Sequence, residues 1–398
     1  MVIFMPGLAS GGGAERYAVG LAAALRALGH PRVVIASDGA TRDEIARQFG
    51  IDMTGIEVAD VPTPPGWLRR APQSVFDLVE LLGWRHAVAH LNPSVMVNCL
   101  YRAELPGLGS RQNVYVCHFP HPLRIRYTPA ARGLFMSVMG WLQRVLVTRA
   151  PSFLDTYDQV VANSEFTADH VRKRWGVEPV IVPPPCASML VPGVPKQRRI
   201  VTVGRFEPPV PGVPNKRLDV LVDTFAAMTD LHAEGWELHV AGACPDASQA
   251  YLDDLRRAAG KAPVTFHPNL PFDNLQQLYS SGQIYWHAQG YGESLEDRPE
   301  TQEHFGITTV EAMSAGAIPV VIDTAGPWEV VLPVDGAGRW TTTMQLEGET
   351  RRIISMPADQ RDALAARCQR RAEEFSPEAF GNRIAVILGR KGQYGNAS

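Results

Sequence analysis

Two carboxylates, Glu303 and Glu311, stand on either side of Gly306 in the stretch EHFGITTVEAMSAGAIPVV. The glycine turn is predicted to feed a short helix, closed by Gly316, and then a buried strand. A helix start presents backbone N–H groups with no partner inside the helix, together with the positive end of its dipole, so it receives anions readily. An acid before the turn, an acid one turn into the helix and an anion pocket between them suit a sugar-nucleotide. Each acid also has a plainer reading. Thr308-x-x-Glu311 matches a capping box, in which the glutamate merely satisfies the helix start. Glu303 ends an acidic segment, Glu293, Glu296, Asp297 and Glu300, that reads equally as a solvated loop.

The elements that would carry these residues alternate along the chain. Val2 to Met5 reads as a strand ended by Pro6-Gly7, and Gly11 to Gly13 lead into a helix from about Ala14 to Leu28. Tyr17, Leu21, Leu25 and Leu28 fall at helical spacing, and Gly29 sits where a C-cap belongs. Arg32 to Ala36 follows as a strand, which makes a βαβ unit and predicts a parallel sheet. The glycine pattern is GGGAER rather than GxGxxG, which argues against an ordinary dinucleotide fingerprint. Strands are expected at Val114 to Cys117, leading to His118, and at Gln159 to Ala162, with a helix from about Phe166 to Trp175.

Val182-Pro183-Pro184-Pro185 and then Pro192 to Pro195 form the best candidate linker, because stacked prolines favour extended chain. Beyond it the pattern restarts, with Ile200 to Val203 running into Gly204-Arg205. A proline and glycine loop precedes Lys216 and a helix from about Leu218 to Met228, and further strands are expected at Glu237 to Ala241, Val264 to Phe266 and Ile284 to His287. The chain is therefore read as α/β, with two Rossmann-like domains whose parallel sheets face a central cleft. The domains are expected at 1–185 and 196–375, with a last helix over 376–390, capped by Ser376 and Pro377. A ligand belongs at the C-terminal ends of the strands.

Composition narrows the function. A chain of 398 residues, 45% hydrophobic and 20% charged, is ordinary for a globular protein with sizeable cores. A net charge of −3 gives no general reason to expect nucleic acid. Cys99, Cys117, Cys186, Cys244 and Cys368 are scattered and lack CxxC spacing, which argues for thiols in a reducing compartment and against a cysteine metal site. No run approaches the roughly 20 apolar residues that span a bilayer, and Met1 to Met5 has no basic leader region. The expectation is a cytoplasmic protein, free or peripheral on the cytosolic face of a membrane.

Taken together, these segments resemble retaining glycosyltransferases of the GT-B fold, family 4. The paired glutamates with seven residues between them match that family's signature, and HFGITTVEAMSAGAIPVV is close to its usual wording. GRFEPPVPGVPNKRLDVLV resembles the family's glycine–arginine and lysine pair, which places Arg205 and Lys216. GGGAER, CHFPHP and ANSEFTADHVRKRW resemble its N-terminal domain, especially in mannosyltransferases that build dolichol-linked oligosaccharides. The likeness covers nearly the whole chain, with little signal between about Ala40 and Gln112.

The resemblance implies that a hexose, mannose being the first guess, moves from a nucleoside-diphosphate sugar to an acceptor hydroxyl with retention. Negative charge grows on the departing diphosphate, so cations and N–H donors are wanted there. Arg205 and Lys216 would supply the cations, and Gly306, Ile307 and Thr308 the helix start. Glu311 would hold the ribose, Glu303 the transferred sugar, and His118 would contact that sugar near the reacting centre. Gly12 and Gly13 would let backbone approach the ligand. With no Asp-x-Asp in the chain, the family implies neither cofactor nor metal. Its partners would be a GDP- or UDP-linked donor, whose base would lie near Pro268 to Pro271, and a glycan or lipid-linked acceptor, without nucleic acid. Rival readings are a non-catalytic nucleotide- or glycan-binding protein and a GT-B epimerase. The apolar stretch Leu134 to Leu142, with Arg124, Arg126, Arg132 and Arg144 nearby, reads either as a buried helix or as a peripheral membrane contact.

Overall fold

The computed structural model describes residues 1–101, 105–121 and 130–389; Pro122, Arg124 and Arg126, which figure in the sequence readings, lie outside them, as does Arg390. The chain forms two compact units, Met1–Pro185 together with the return segment from Pro377, and Cys186–Ser376. Each is built on a parallel sheet.

In the first unit the strands are β1 (Val2–Phe4), β2 (Val33–Ser37), β3 (Ile56–Asp60), β4 (Val95–Asn98), β5 (Gln112–Cys117), β6 (Gln159–Ala162) and β7 (Val180–Ile181). Their spatial order is β3-β2-β1-β4-β5-β6-β7, and all neighbours are parallel. The first helix runs Gly13–Ala27 and ends, as its sequence suggests, with Gly29 in the left-handed region at φ +83°. There the N–H of His30 bonds the carbonyl of Leu25 and that of Gly29 the carbonyl of Arg26. The helix Pro377–Gly389 packs on it. Phe380 meets the Tyr17 ring edge to face at 5.2 Å, and Gln112 Nε2 donates to the Ile387 carbonyl at 3.1 Å.

The second unit holds β8 (Gln197–Val203), β9 (Glu237–Gly242), β10 (Val264–Pro268), β11 (Gly282–Trp286), β12 (Ile318–Ile322) and β13 (Gly338–Trp340). Their order is β10-β9-β8-β11-β12-β13, again with parallel neighbours. Strands covered on both faces need near-continuous apolar sequence. Accordingly every residue of Ile318–Ile322 is buried. In both sheets the first strand lies centrally and the order reverses beside it, between β1 and β4 and between β8 and β11. Such a switch point opens a crevice at the strand ends.

The stretch with little sequence signal is regular. It contains helices Arg42–Phe49 and Gln73–His90 and strands β3 and β4. The helix Ala130–Gln143 carries an outward apolar line: Phe135 and Val138 are exposed, and Trp141 is 60% exposed. All five cysteines are buried and none is in a disulfide. Among the described residues no helix is long and apolar enough to cross a membrane.

One lysine ties the second unit together. Lys196 Nζ donates to the carbonyls of Gly282 and Ala315, both at 2.7 Å. The second carbonyl lies at the C-terminal end of helix Ile307–Ser314, where the dipole favours positive charge. Lys196→Met is expected to destabilise the protein by about 1 kcal/mol, because both carbonyls lose their donor at a partly solvated site. Burial pushes the ammonium from its ordinary 10.5 down to about 8, so the unfolded chain keeps this proton over a window in which the folded protein has released it. The lysine's contribution therefore grows between pH 8 and 10.5, and the stability gap to Lys196→Met should widen across that window in urea titrations. A constant or shrinking gap would contradict this account.

Candidate active site

The candidate residues divide between the two units. In the second they gather at the crevice between β8 and β11. Gly204 follows β8, and its N–H bonds the Ala241 carbonyl at 2.9 Å. A Cβ on Gly204 would stand 2.8 Å from Lys216 Cβ and 2.5 Å from Lys216 Cγ, so glycine here makes room for the lysine. The long proline loop before Lys216 is stapled by Asn215, whose Nδ2 donates to the Glu207 carbonyl at 2.8 Å and whose Oδ1 accepts from the Arg217 N–H at 2.8 Å. Pro209, Pro211, Tyr291 and Glu293 line a cavity of about 200 Å³ under this loop.

Lys216 Nζ donates to Glu303 Oε2. Arg217, next to Lys216 in the chain, is taken up by Asp219 at 3.1 Å and by the Tyr291 carbonyl at 2.6 Å. Burial alone would push the Glu303 carboxyl up, but the Lys216 ammonium and then His287 outweigh it and hold it well below the usual carboxylate range. Glu303 is thus a carboxylate at any ordinary pH. Arg205 is 54% exposed and pairs with Glu207 at 3.1 Å. The structure therefore joins Lys216 to Glu303 and gives Arg205 a different partner.

Past Glu303 the chain turns at Gly306, with φ +98°, into the helix Ile307–Ser314. A side chain at Gly306 would be strained by that φ and would press on Pro327 and Thr309, each 3.3 Å from the Cβ position. The helix begins at a glycine N-cap, which has no side chain to take up its first N–H groups. This differs from the capping-box expectation. Gly306, not Thr308, is the N-cap, which puts Glu311 a full turn inside the helix, where it cannot reach back. Instead Glu311 is 3% exposed and accepts from Tyr279 Oη at 3.1 Å. The hydroxyl of Thr308 is met by Tyr285 Oη at 2.7 Å.

In the first unit His118 sits at the end of β5, buried, with Nε2 2.9 Å from the Cys99 carbonyl. A carbonyl only accepts, so Nε2 carries the proton and Nδ1 is the acceptor. Burial lowers the imidazole's pKa, only partly offset by the Cys99 carbonyl and Glu15, and His118 is neutral at pH 7. The ANSEFT segment anchors it: Asn163 Nδ2 and Thr167 Oγ1 both donate to the His118 carbonyl at 3.3 Å, while Ser164 Oγ caps the Thr167 N–H at 3.1 Å. Tyr17 packs its ring on His118 at 5.7 Å. Gly12 is the N-cap of helix Gly13–Ala27 at an unstrained φ of −82°; within this turn it is Gly11, at φ +68°, that needs glycine's freedom. Among the described residues no His, Cys, Asp and Glu cluster could hold a metal.

Sequence reasoning passed over several of these residues. Tyr279, Tyr285 and Asn215 lie in ordinary apolar or loop context, and their roles depend on register. Gly326 follows β12 and bonds the Glu303 carbonyl through its N–H at 3.0 Å. A Cβ there would overlap the backbone of Phe305 and lie 2.5 Å from the His304 carbonyl carbon. His287, at the end of β11, stands with its Nε2 3.6 Å from Glu303 Oε2.

Two Rossmann-like units on parallel sheets constitute the GT-B fold. Solved structures share it: Anabaena Alr3699/HepE in complex with UDP, at a TM-score of 0.65 and 17% identity, covering 97% of this chain and 99% of that one. Sucrose-phosphate synthase from Thermosynechococcus elongatus aligns at 0.66 and 16% identity, covering 98% of each. Residues 11–186 match the family profile Glycosyltransferase Family 4, and residues 192–375 match Glycosyl transferases group 1. The chain belongs to the group 1, family 4 glycosyltransferases. A GDP-Man:Man(3)GlcNAc(2)-PP-Dol alpha-1,2-mannosyltransferase of Yarrowia lipolytica is 25% identical over 321 residues, 71% of this chain and 47% of that protein. The alpha-1,3/1,6-mannosyltransferase alg2 of Schizosaccharomyces pombe is 23% identical over 371 residues, 81% of this chain and 67% of that one. The match thus spans about half the length of the first of these relatives.

Proposed function

We propose that the chain transfers a hexose from a nucleoside-diphosphate sugar to an acceptor hydroxyl of a glycan, glycolipid or polysaccharide, with retention at the anomeric carbon. The observation that carries this reading is the Lys216–Glu303 pair beside a helix start with a glycine N-cap, at the switch point of the second sheet. A diphosphate needs cations and N–H donors at its developing charge, and Lys216, Arg205 and the Gly306–Thr308 backbone are of the right kind. Glu303 would accept from hydroxyls of the transferred sugar and Glu311 from the ribose. His118 offers Nδ1 as an acceptor to a sugar hydroxyl, and Gly12 and Gly13 offer backbone without side chains. Neither a metal nor a cofactor is part of this scheme.

Mannose from GDP-mannose is the donor of choice, supported by the mannosyltransferase relatives. A lipid-linked glycan is the matching acceptor class. The reading is tested by thermal shift with GDP and UDP, followed by donor hydrolysis and transfer from GDP-mannose and UDP-glucose. Stabilisation by GDP with turnover of GDP-mannose is expected; a response to neither nucleotide would reject the reading, and loss of turnover in EDTA would reject its metal-free form. The exposed Phe135, Val138 and Trp141 support peripheral docking on the cytosolic face of a membrane. Trp141→Ser should then weaken co-sedimentation with anionic vesicles severalfold, and unchanged binding would exclude this helix as the contact.

A further inference from the structure

His287 is 2% exposed, and neither ring nitrogen has a partner within hydrogen-bond length, the nearest acceptor being Glu303 Oε2 at 3.6 Å from Nε2. Burial lowers its pKa, so the ring is neutral at pH 7 and one nitrogen must be an N–H donor. A buried donor without an acceptor costs about 1–3 kcal/mol and calls for an explanation. Its backbone is held at both ends, by the Val320 carbonyl at 3.2 Å and by Trp340 Nε1, which donates to the His287 carbonyl at 3.2 Å. The backbone therefore cannot carry the ring towards a partner. What can move is the carboxylate that faces it. Glu303 Oε2 lies 3.6 Å from Nε2, just beyond hydrogen-bond length, and that same oxygen is occupied by Lys216.

We propose that His287 is a positioning residue that takes over the Glu303 carboxylate when Lys216 turns from it to the donor's diphosphate. This rests on the donor-site reading given above. A lysine ammonium drawn to a doubly charged group relinquishes a carboxylate that burial would then leave unsupported. A shift of under an ångström brings Oε2 within reach of the His287 N–H. The second carboxylate oxygen is then presented to the sugar hydroxyls in a fixed orientation. The pair seen in the structure and the waiting imidazole are two settings of one carboxylate.

The test measures kcat and KM for release of GDP from GDP-mannose, in parallel with UDP-glucose, and the Kd of the matching nucleoside diphosphate. His287→Phe, which keeps volume without a donor, should lower kcat tenfold to a hundredfold while the Kd of the nucleoside diphosphate stays within twofold. His287→Gln, which restores an N–H near the Nε2 position, should recover kcat to within about fivefold of wild type. In a Glu303→Gln background, His287→Phe should cost less than twofold more. Wild-type kcat in His287→Phe, or equal losses in the Phe and Gln variants, would overturn the proposal while leaving an inactive Glu303→Ala enzyme as support for the donor site. Wild-type activity in Glu303→Ala would instead reject the donor-site reading, and this proposal with it. Unaltered nucleoside diphosphate binding in the variants shows that the unit has folded.

Discussion

Lys216→Ala is expected to lower kcat/KM tenfold to several hundredfold, matching the loss of a charged hydrogen bond worth about 1.5–3 kcal/mol. Glu303→Ala should fall by a similar factor. The double variant should lose much less than the product of the two, since the residues share one interaction. Stability should respond in a pH-dependent way. With Lys216 in place the Glu303 carboxyl is held far below its ordinary 4.5, so the pair's contribution is present above that pH and is lost as the carboxylate protonates. Without Lys216, burial pushes the carboxyl up and the folded protein bears an uncompensated charge. The gap between wild type and Lys216→Ala should reach about 3 kcal/mol at pH 7 and narrow as pH falls, first as the variant's raised carboxyl protonates above 4.5 and then as wild type loses the pair's contribution below it. Urea titrations at pH 7 and pH 4 decide this. An equal gap at both, with turnover within twofold of wild type, would remove Lys216 and Glu303 from the site.

A second large effect is expected from a residue that touches no ligand in the proposed scheme. Gly326→Ala would drive a methyl group into the backbone of His304 and Phe305, which no rotamer change can relieve. Either the helix Ala325–Val331 moves away or the loop carrying Glu303 and Gly306 does. Overpacking of this kind costs about 1–3 kcal/mol, or roughly 2–4 °C of melting temperature per kcal/mol in a unit of this size. Because Gly326 also donates to the Glu303 carbonyl, nucleotide affinity should fall with stability. An unchanged melting temperature and an unchanged Kd for GDP would show that the loop tolerates the contact.

Much of this was legible from residue order. The apolar spacing of Tyr17, Leu21 and Leu25 and the glycine after them fixed the first helix, because its buried face and its cap are both local. The restart at Ile200 revealed a second sheet for the same reason. The helix Gln73–His90 gave no such signal: it starts after Pro72 without a side-chain cap and mixes buried Leu81, Trp84 and Val88 with exposed Val79. The capping box at Thr308 misled because a left-handed glycine two residues earlier had already begun the helix, and side-chain type alone does not record φ. His287 was invisible for a further reason. A histidine at a strand end has no informative spacing, and it gains meaning only when β11 lies next to β8 and brings Lys216 and Glu303 to it.

The return of helix Pro377–Gly389 to the first unit also sets an order of assembly. That helix is made after all of Cys186–Ser376, yet it covers Tyr17 and bonds Gln112. During synthesis the second unit, contiguous in sequence, can close its core while the first still lacks a wall. The unit that emerges first from the ribosome is thus the one that finishes last. A nascent or clipped chain ending at Ser376 would leave Tyr17, which Phe380 otherwise covers, facing water, an aggregation hazard that the intact chain conceals.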